Sequence, residues 1–332
     1  KDYMPVCIRR QNESYSFDSV RQFCSLRVLL MNRAYCKELL TSCGVDDQSD
    51  INICIISRAL SFRDNYWIKS VSSEEKWDSV NLYTNRFSVR AADVALTGVM
   101  DTIDIGSRLY TGELSGKGTR PKCFIRRGND ILRFKAETVE EIKSEILSAV
   151  IASVLGLKKP TRYWYEKARG RDCSVCRILT SESSELVHYR DIMSYYNETT
   201  MSYNSSSYRF LLSLDPEQFL LMQIFDYVTL NTDRNRDNFG AEMCDNRFVG
   251  LYPVYDHDSC FKGKSTNGTY FPTGLTFAQT IEYLKSLQEY QLIQERIQTA
   301  VSYFSSYEFH DIFLKMKPVE VYESMLMRLK TL

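Results

Sequence analysis

Hydrophobic and polar positions follow different periods along the chain, and the changes of period indicate its organisation. Residues 17–43 place apolar side chains at helical spacing and end at Gly44, which predicts a long helix. Residues 57–88 follow no regular period and carry two of the three tryptophans, so we expect an irregular packed segment there. We predict that residues 1–95 form an appended N-terminal subdomain.

Short strand-like runs follow this region. The runs "KCFI" at 122–125 and "ILRFK" at 131–135 flank the turn-forming "RRGND", and this pattern predicts a hairpin. An apolar stretch at about 138–155 predicts a helix, and "TRYWYE" and "SVCRILT" predict two more strands. We therefore expect a small mixed β/α lobe over residues 96–181.

Helical periodicity dominates the last third of the chain. The segment "DPEQFLLMQIFDYVTL" predicts a buried helix that opens with Asp215 as its cap, Pro216 at the first position and Gln218 as the reciprocal capping partner. Four amphipathic helices are predicted over residues 277–332. Residues 182–332 are thus expected to form a mostly helical second lobe, and the fold class is α+β.

Composition excludes several classes of protein. Lys plus Arg and Asp plus Glu both number 42, so the net charge of zero gives no general attraction to nucleic acid or to an acidic membrane. The longest apolar run, at 146–157, is about half as long as a membrane-spanning helix. The sequence opens without a signal peptide pattern, and we expect a cytoplasmic protein. Cys173 and Cys176 form an isolated C-x-x-C pair that lacks further zinc ligands.

The segment "TLNTDRNRDNFG" at 229–240 concentrates two aspartates, three asparagines and two arginines. A calcium-binding EF-hand pattern beginning at Asp233 fails, because its sixth position is Asn238 and its twelfth is Cys244. An ordinary polar connector rich in turn-forming residues remains an alternative for this segment considered alone.

The next segment, "RFVGLYPVYDHDSCF" at 247–261, predicts a short strand that ends at an acidic turn. Phosphoryl transfer explains the loop at 229–240 better when this strand is included. It requires a carboxylate that accepts the proton of the attacking hydroxyl, and an amide oxygen and a second carboxylate that bind Mg²⁺. Asp233, Asn238 and Asp256 occur in the order and spacing that this chemistry needs.

The small lobe offers groups for a nucleotide. The run "GELSGKG" at 112–118 differs from a Walker loop, yet Ser115, Gly116, Lys117 and Gly118 are expected to present backbone N–H groups to phosphates in a hairpin cover. Lys135 lies on the next predicted strand and Glu145 on the helix after it, which suggests an ion pair. Arg133, on the same face of the strand, is an alternative cation to Lys135.

With these residues in order, the chain resembles the HipA-like kinases, bacterial serine/threonine kinases of toxin–antitoxin systems. Residues 105–265 carry the resemblance, most specifically "FDYVTLNTDRNRDNFG", which is similar to the family's catalytic loop, and "PVYDHDS", which is similar to its metal-binding segment. The resemblance implies a bilobal protein-kinase-like fold, ATP and Mg²⁺ as ligands, and transfer of the γ-phosphoryl group to a protein hydroxyl.

The resemblance also implies a role for each site residue. Asp233 would be the catalytic base, Asn238 and Asp256 the metal ligands, and Lys135 with Glu145 the pair that positions the nucleotide. The segment from Cys176 through Ile178 to about Ser181 would line the adenine pocket. Ser115 would be a site of autophosphorylation, with an ordinary turn hydroxyl as the alternative.

One difference from the family leaves other functions open. The family's loop histidine is Asn235 here, so a nucleotide-binding pseudokinase with a regulatory or partner-binding role is an alternative, and a small-molecule or lipid kinase is another. The resemblance suggests an antitoxin-like partner protein, although residues 1–95 match the family too poorly to transfer its antitoxin contacts. Neither a membrane nor direct nucleic-acid binding is indicated.

Overall fold

The chain passes three times between two structural units. One unit combines residues 1–138 with 164–185, and the other combines 139–163 with 186–332. The computed structural model describes residues 4–9, 17–101, 112–115, 118–263 and 265–332. The predicted domain boundaries after residues 95 and 181 stay predictions.

The first unit contains a four-stranded sheet and several short helices. Its helices are α1 (Phe17–Ser25), α2 (Cys36–Ser42), α3 (Asp50–Ile56), α4 (Trp77–Val80), α5 (Val89–Thr97) and a 3₁₀ turn at Gly112–Ser115. Its strands are β1 (Lys122–Arg127), β2 (Asp130–Ala136), β3 (Tyr163–Ala168) and β4 (Arg171–Arg177).

The sheet of this unit has the strand order β1-β2-β4-β3, and the predicted hairpin is confirmed as β1 and β2. Their register pairs Phe124 with Arg133, and Gly128 in the connecting turn has a φ of 60°, a conformation that favours glycine. Helix α5 packs on β1, and Phe134 is fully buried in the hydrophobic core. The two further predicted strands are confirmed as β3 and β4.

The single helix predicted over residues 17–43 is wrong, because the structure has two helices, α1 and α2, with a turn between them. In that turn Arg27 is 1% exposed, and its guanidinium donates to the backbone oxygen of Ala59 at 2.7 Å and pairs with Asp64. Tyr35, just before α2, has a φ of 62°, which no right-handed helix accommodates. Residues 57–88 are irregular apart from α4, as predicted.

The second unit is mostly helical. Its helices are α6 (Val139–Val154), α7 (Tyr189–Tyr195), α8 (Ser206–Leu214), α9 (Pro216–Thr229), α10 (Phe277–Ser286), a 3₁₀ turn at Gln288–Leu292, α11 (Gln294–Phe304), α12 (Tyr307–Leu314) and α13 (Val319–Lys330). Strands β5 (Ser184–His188), β6 (Gly240–Cys244) and β7 (Arg247–Leu251) form one sheet, and β8 (Thr269–Tyr270) pairs with β9 (Leu275–Thr276). Helix α6 and the four predicted C-terminal helices are confirmed.

Helix α9 is the central helix of this unit and is buried from Gln218 to Thr229. Its predicted capping box is wrong, because Asp215 makes no capping hydrogen bond with its side chain. The Oδ2 atom of Asp215 instead accepts the backbone N–H of Leu251 at 3.2 Å, and Gln218 accepts the backbone N–H of Lys158 at 2.7 Å. Both polar side chains therefore attach the start of α9 to neighbouring segments.

Within the described ranges, every helix is too short or too polar to cross a bilayer.

Candidate active site

A buried ion pair fixes the loop that follows α9. The carboxylate of Asp226, on the last turn of the helix, accepts hydrogen bonds from Arg234 Nε and Nη2, each at 2.9 Å at the nearest oxygen. Asn231 Nδ2 donates to the same carboxylate at 3.0 Å, and the hydroxyl of Tyr270 donates at 2.7 Å. Asp226 and Arg234 have fully buried side chains. Three residues thus satisfy this buried carboxylate through hydrogen bonds.

Arg234 connects this carboxylate to the rest of the loop. Its Nη1 atom donates to the backbone oxygens of Asn238 at 2.8 Å and Tyr255 at 3.1 Å. Burial by itself would lower the pKa of Arg234, but the charge of Asp226 outweighs it and the pKa is raised. The buried, charged guanidinium of Arg234 therefore holds the backbone of residues 231–238 in place.

Asp233 lies on the exposed side of the same loop, and two amides hold its carboxylate. Asn235 Nδ2 donates to Asp233 Oδ1 at 3.0 Å, and Asn238 Nδ2 donates to Asp233 Oδ2 at 3.1 Å. The Asn238 amide also donates to the backbone oxygen of Asp233 at 2.7 Å. Because the amide nitrogen of Asn238 faces Asp233, its Oδ1 atom is available to a cation.

The pKa of Asp233 reflects these neighbours. Partial desolvation raises it, the Asn235 amide lowers it, the charge of Asp256 raises it again, and the Asn238 amide lowers it. The net direction is upward. Asp256 is thus close enough to Asp233 for its charge to act on it.

Hydrogen bonds from two backbone N–H groups hold the segment that carries Asp256. Asp256 has a φ of 61°, in the left-handed region, and its N–H donates to the hydroxyl of Tyr163 at 2.9 Å. The next N–H, of His257, donates to Glu145 Oε2 at 2.8 Å, and the His257 ring packs edge-on against Phe225 of α9. The predicted metal-binding segment is thereby attached to both α6 and α9.

The far end of the loop has a separate anchor. Arg190 forms an ion pair with Asp237, and the hydroxyl of Tyr255 donates to the backbone oxygen of Asp237 at 2.8 Å. Tyr255 also hydrogen-bonds to Nδ1 of His188 at 3.1 Å. These residues, together with Asp226, Arg234 and Tyr270, were not predicted from the sequence. Arg190 and Tyr270 bond to partners 47 and 44 residues away, whereas Asp226 and Arg234 are eight residues apart but carry no motif that marks them as an ion pair.

The predicted residues of the first unit are placed as follows. Lys135 on β2 forms an ion pair with Glu137 at 2.8 Å, with both side chains buried, and Ser174 on β4 donates to the same carboxylate. Glu137 directly follows β2, and its i,i+2 spacing from Lys135 was the available signal for this pair. The pair of Lys135 with Glu145 stays a prediction.

The structure describes part of the glycine segment, and the predicted hairpin cover stays a prediction. Residues Gly112–Ser115 form a 3₁₀ turn closed by the Ser115 hydroxyl, which donates to the backbone oxygen of Gly112 at 3.1 Å. Gly118 has a φ of 91°, which favours glycine. Gly116 and Lys117 lie outside the described residues.

Of the predicted adenine-pocket residues, Cys176 is a buried residue of β4 opposite Arg133. The N–H of Ile178 continues the strand pairing by donating to the backbone oxygen of Ile131 at 2.8 Å. Their contact with adenine stays a prediction.

The donor set fits a hard cation. In the part of the chain that the structure describes, no group of three His, Cys, Asp or Glu side chains forms a metal site by itself. Mg²⁺ commonly takes only one or two protein oxygens and completes its shell with water and phosphate. An amide oxygen from Asn238 and a carboxylate from Asp256 match that requirement.

Comparisons with known proteins identify the fold. No family model matches the sequence, and no curated protein matches it. HipA of Shewanella oneidensis MR-1, solved with HipB and operator DNA, is similar over 93% of this chain and 84% of its own, with 14% identity and a TM-score of 0.51. The chain has a HipA-like, protein-kinase-like fold.

A second solved structure, the proinflammatory kinase CtkA of Helicobacter pylori, matches 63% of this chain and 88% of its own, with 15% identity and a TM-score of 0.43. The kinase-like fold agrees with the predicted fold class. At this level of identity the likeness establishes the fold alone, so the roles of Asp233, Asn238 and Asp256 are argued from their geometry.

Proposed function

We propose that the protein is an ATP- and Mg²⁺-dependent phosphotransferase that acts as a serine/threonine kinase of the HipA-like type. The observation that carries this proposal is the joint placement of Asp233 and Asn238. One amide connects them at 3.1 Å, and the buried pair of Asp226 and Arg234 holds their loop. A connector that only joined two elements would not need a fully buried charged pair behind it.

Asp233 is the proposed general base. It is exposed, so an acceptor hydroxyl can approach it, while two amide donors fix its orientation. A carboxylate has about four lone-pair positions, so it can accept a further proton while it is held by both amides. The pKa of Asp233 is raised, chiefly by partial desolvation, which makes its carboxylate a stronger base than that of a solvated aspartate.

Asn238 and Asp256 are the proposed metal ligands. Mg²⁺ when bound would neutralise charge on the β- and γ-phosphoryl oxygens. The hydrogen bonds from the Asp256 and His257 amides keep that carboxylate in place on a backbone that would otherwise avoid the left-handed region.

The first unit contributes the proposed nucleotide contacts. Lys135, held near Glu137, supplies a buried cation for a phosphate, and the pair with Glu145 is part of the proposal. Backbone N–H groups of the glycine segment, including those of Gly116 and Lys117, are proposed to contact phosphates, and the segment Cys176–Ser181 is proposed to contact adenine.

The proposal is tested by incubating the purified chain with γ-labelled ATP and Mg²⁺. We expect Asp233→Asn to lower the rate of ADP release by about 10²–10⁴-fold, the range for loss of a general base. Asp245→Asn is the matched control, because it makes the same change of charge in the exposed turn between β6 and β7, where asparagine accommodates the φ of 47°. Equal turnover by the Asp233 variant and the parent would show that Asp233 is not the base.

The destination of the label distinguishes the alternatives. Phosphoserine or phosphothreonine on a protein, including this chain at Ser115, supports the serine/threonine assignment. ADP release without labelled protein favours a small-molecule or lipid kinase, and ATP binding without ADP release favours a pseudokinase. HipA of S. oneidensis was solved with HipB, and we propose that this chain likewise has a partner protein.

A further inference from the structure

Residues of the N-terminal region hold both described pieces of the glycine segment. Arg33 Nη1 donates to the backbone oxygen of Glu113 at 2.9 Å, and Nη2 donates to the backbone oxygen of Lys122 at 2.5 Å. The N–H of Ala34 donates to the backbone oxygen of Thr119 at 2.9 Å. A single corner of the chain, 33–34, therefore bonds to the backbone before and after Gly118.

Backbone hydrogen bonds on both sides of Arg33 hold this corner of the chain in place. The N–H of Arg33 closes a turn onto the oxygen of Leu30 at 2.9 Å, and its own oxygen accepts the N–H of Cys36 at 3.2 Å, at the start of α2. Arg33 is 3% exposed, so its fork of donors has no competing water. Its hydrogen bonds to carbonyls are consequently strong.

The buried carboxylate of Glu113 connects the 3₁₀ turn to the sheet. Glu113 is 1% exposed, and its carboxylate accepts the N–H of Phe124 in β1 at 2.8 Å. Burial lowers the pKa of Arg33 to about 10, and the nearby Glu113 carboxylate opposes this shift, so the guanidinium is charged at neutral pH. The Arg33–Glu113 contact thus fixes the 3₁₀ turn to the first strand of the sheet.

We propose that Arg33 is a positioning residue for the nucleotide phosphates, because it holds the described backbone on both sides of the proposed phosphate-binding N–H groups of Ser115 and Gly118. This inference rests on the proposed function. The inference assigns the N-terminal region a part in nucleotide binding. Through Arg33, this region would hold the proposed phosphate-binding segment in position. Arginine suits this role because its planar fork reaches two carbonyls at once, which a lysine ammonium does not reproduce.

The test is Arg33→Met in the full chain, with two measurements. Hydrogen exchange of the amides in residues 112–124 should become faster, because two carbonyl anchors are lost. The KM for ATP should rise about tenfold while kcat stays within about twofold, since the chemical groups are unchanged. A tenfold change corresponds to about 1.4 kcal/mol.

Arg27→Met is the matched control. Arg27 is also buried in the N-terminal region and donates to backbone oxygens, those of Ala59 and Tyr66, which lie outside the glycine segment. It should lower stability without changing the KM for ATP. Arg33→Lys should have a KM for ATP between that of the parent and that of Arg33→Met.

A second variant is used if Arg33→Met fails to fold. Arg33→Met combined with Glu113→Gln removes the buried carboxylate and keeps an acceptor for the Phe124 amide, so folding should return while the carbonyl anchors stay absent. Its exchange and its KM should both remain raised.

Unchanged exchange of residues 112–124 in these variants would overturn the proposal, and so would faster exchange with an unchanged KM. Equal KM effects from Arg27→Met and Arg33→Met would overturn it as well, since general destabilisation would then be the cause. If the parent neither binds nor turns over ATP, the proposed function fails together with this role, whereas a turning-over parent with an insensitive Arg33 variant refutes the positioning role alone.

Discussion

Arg234→Met is the substitution whose consequence follows most directly from the structure. It removes a fully buried guanidinium that donates to Asp226 and to the backbone oxygens of Asn238 and Tyr255. The buried carboxylate of Asp226 then keeps Asn231 and Tyr270 as hydrogen-bond donors but loses its cationic partner. Removing one partner of a buried pair costs about 3–5 kcal/mol, so we expect a loss of about 4 kcal/mol of unfolding free energy.

Urea unfolding followed by far-ultraviolet circular dichroism measures this loss. With a slope of about 3 kcal/mol per M, the midpoint should fall by about 1.3 M. Arg296→Met is the control, because Arg296 forms an ion pair with Glu217 at the surface of the same unit and should cost less than about 1 kcal/mol. Adding Asp226→Asn to Arg234→Met should restore part of the loss by removing the stranded charge. A midpoint for Arg234→Met equal to that of Arg296→Met would refute the claim that this pair organises the loop.

Two further predictions concern the held carboxylates. Asn235→Ala removes an amide that lowers the pKa of Asp233, so that pKa should rise further and the acid limb of the kcat–pH profile should move to higher pH; a limb that stays in place or moves to lower pH would contradict the interpretation of Asn235. Tyr163→Phe removes the acceptor of the Asp256 N–H and leaves that amide unsatisfied at a cost of about 1–3 kcal/mol. Hydrogen exchange of the Asp256 amide should therefore become faster. Unchanged exchange would show that the Tyr163 hydroxyl does not hold Asp256.

Local signals in the sequence predicted the four strands of the first unit's sheet and the helices α6, α9 and α10 to α13. Alternating strand patterns and the turn around Gly128 identify β1 and β2 because both period and turn chemistry are local. The break between α1 and α2 was not predictable in this way, since it depends on the pairing of Arg27 with Asp64, 37 residues later. The capping of α9 failed for the same reason, because Asp215 bonds to Leu251 instead of its own helix.

The candidate site shows the same division. Asp233, Asn238 and Asp256 could be proposed from the sequence because phosphoryl transfer requires these residue types in this order. The residues that hold them, such as Arg234 and Tyr163, carry no chemical signature in the sequence. Their role depends on burial and on contacts made by the folded chain, as does that of Arg33 toward the glycine segment.

The most direct test of the central claim, that Asn238 and Asp256 bind one metal-bound nucleotide beside Asp233, is calorimetric titration of ATP with and without Mg²⁺. For the parent and for Asp245→Asn we expect Mg²⁺ to tighten ATP binding at least about tenfold, or about 1.4 kcal/mol. Asn238→Leu and Asp256→Asn should each abolish that Mg²⁺-dependent gain. ATP binding that is indifferent to Mg²⁺ in the parent, or a gain that persists in either variant, would contradict the account.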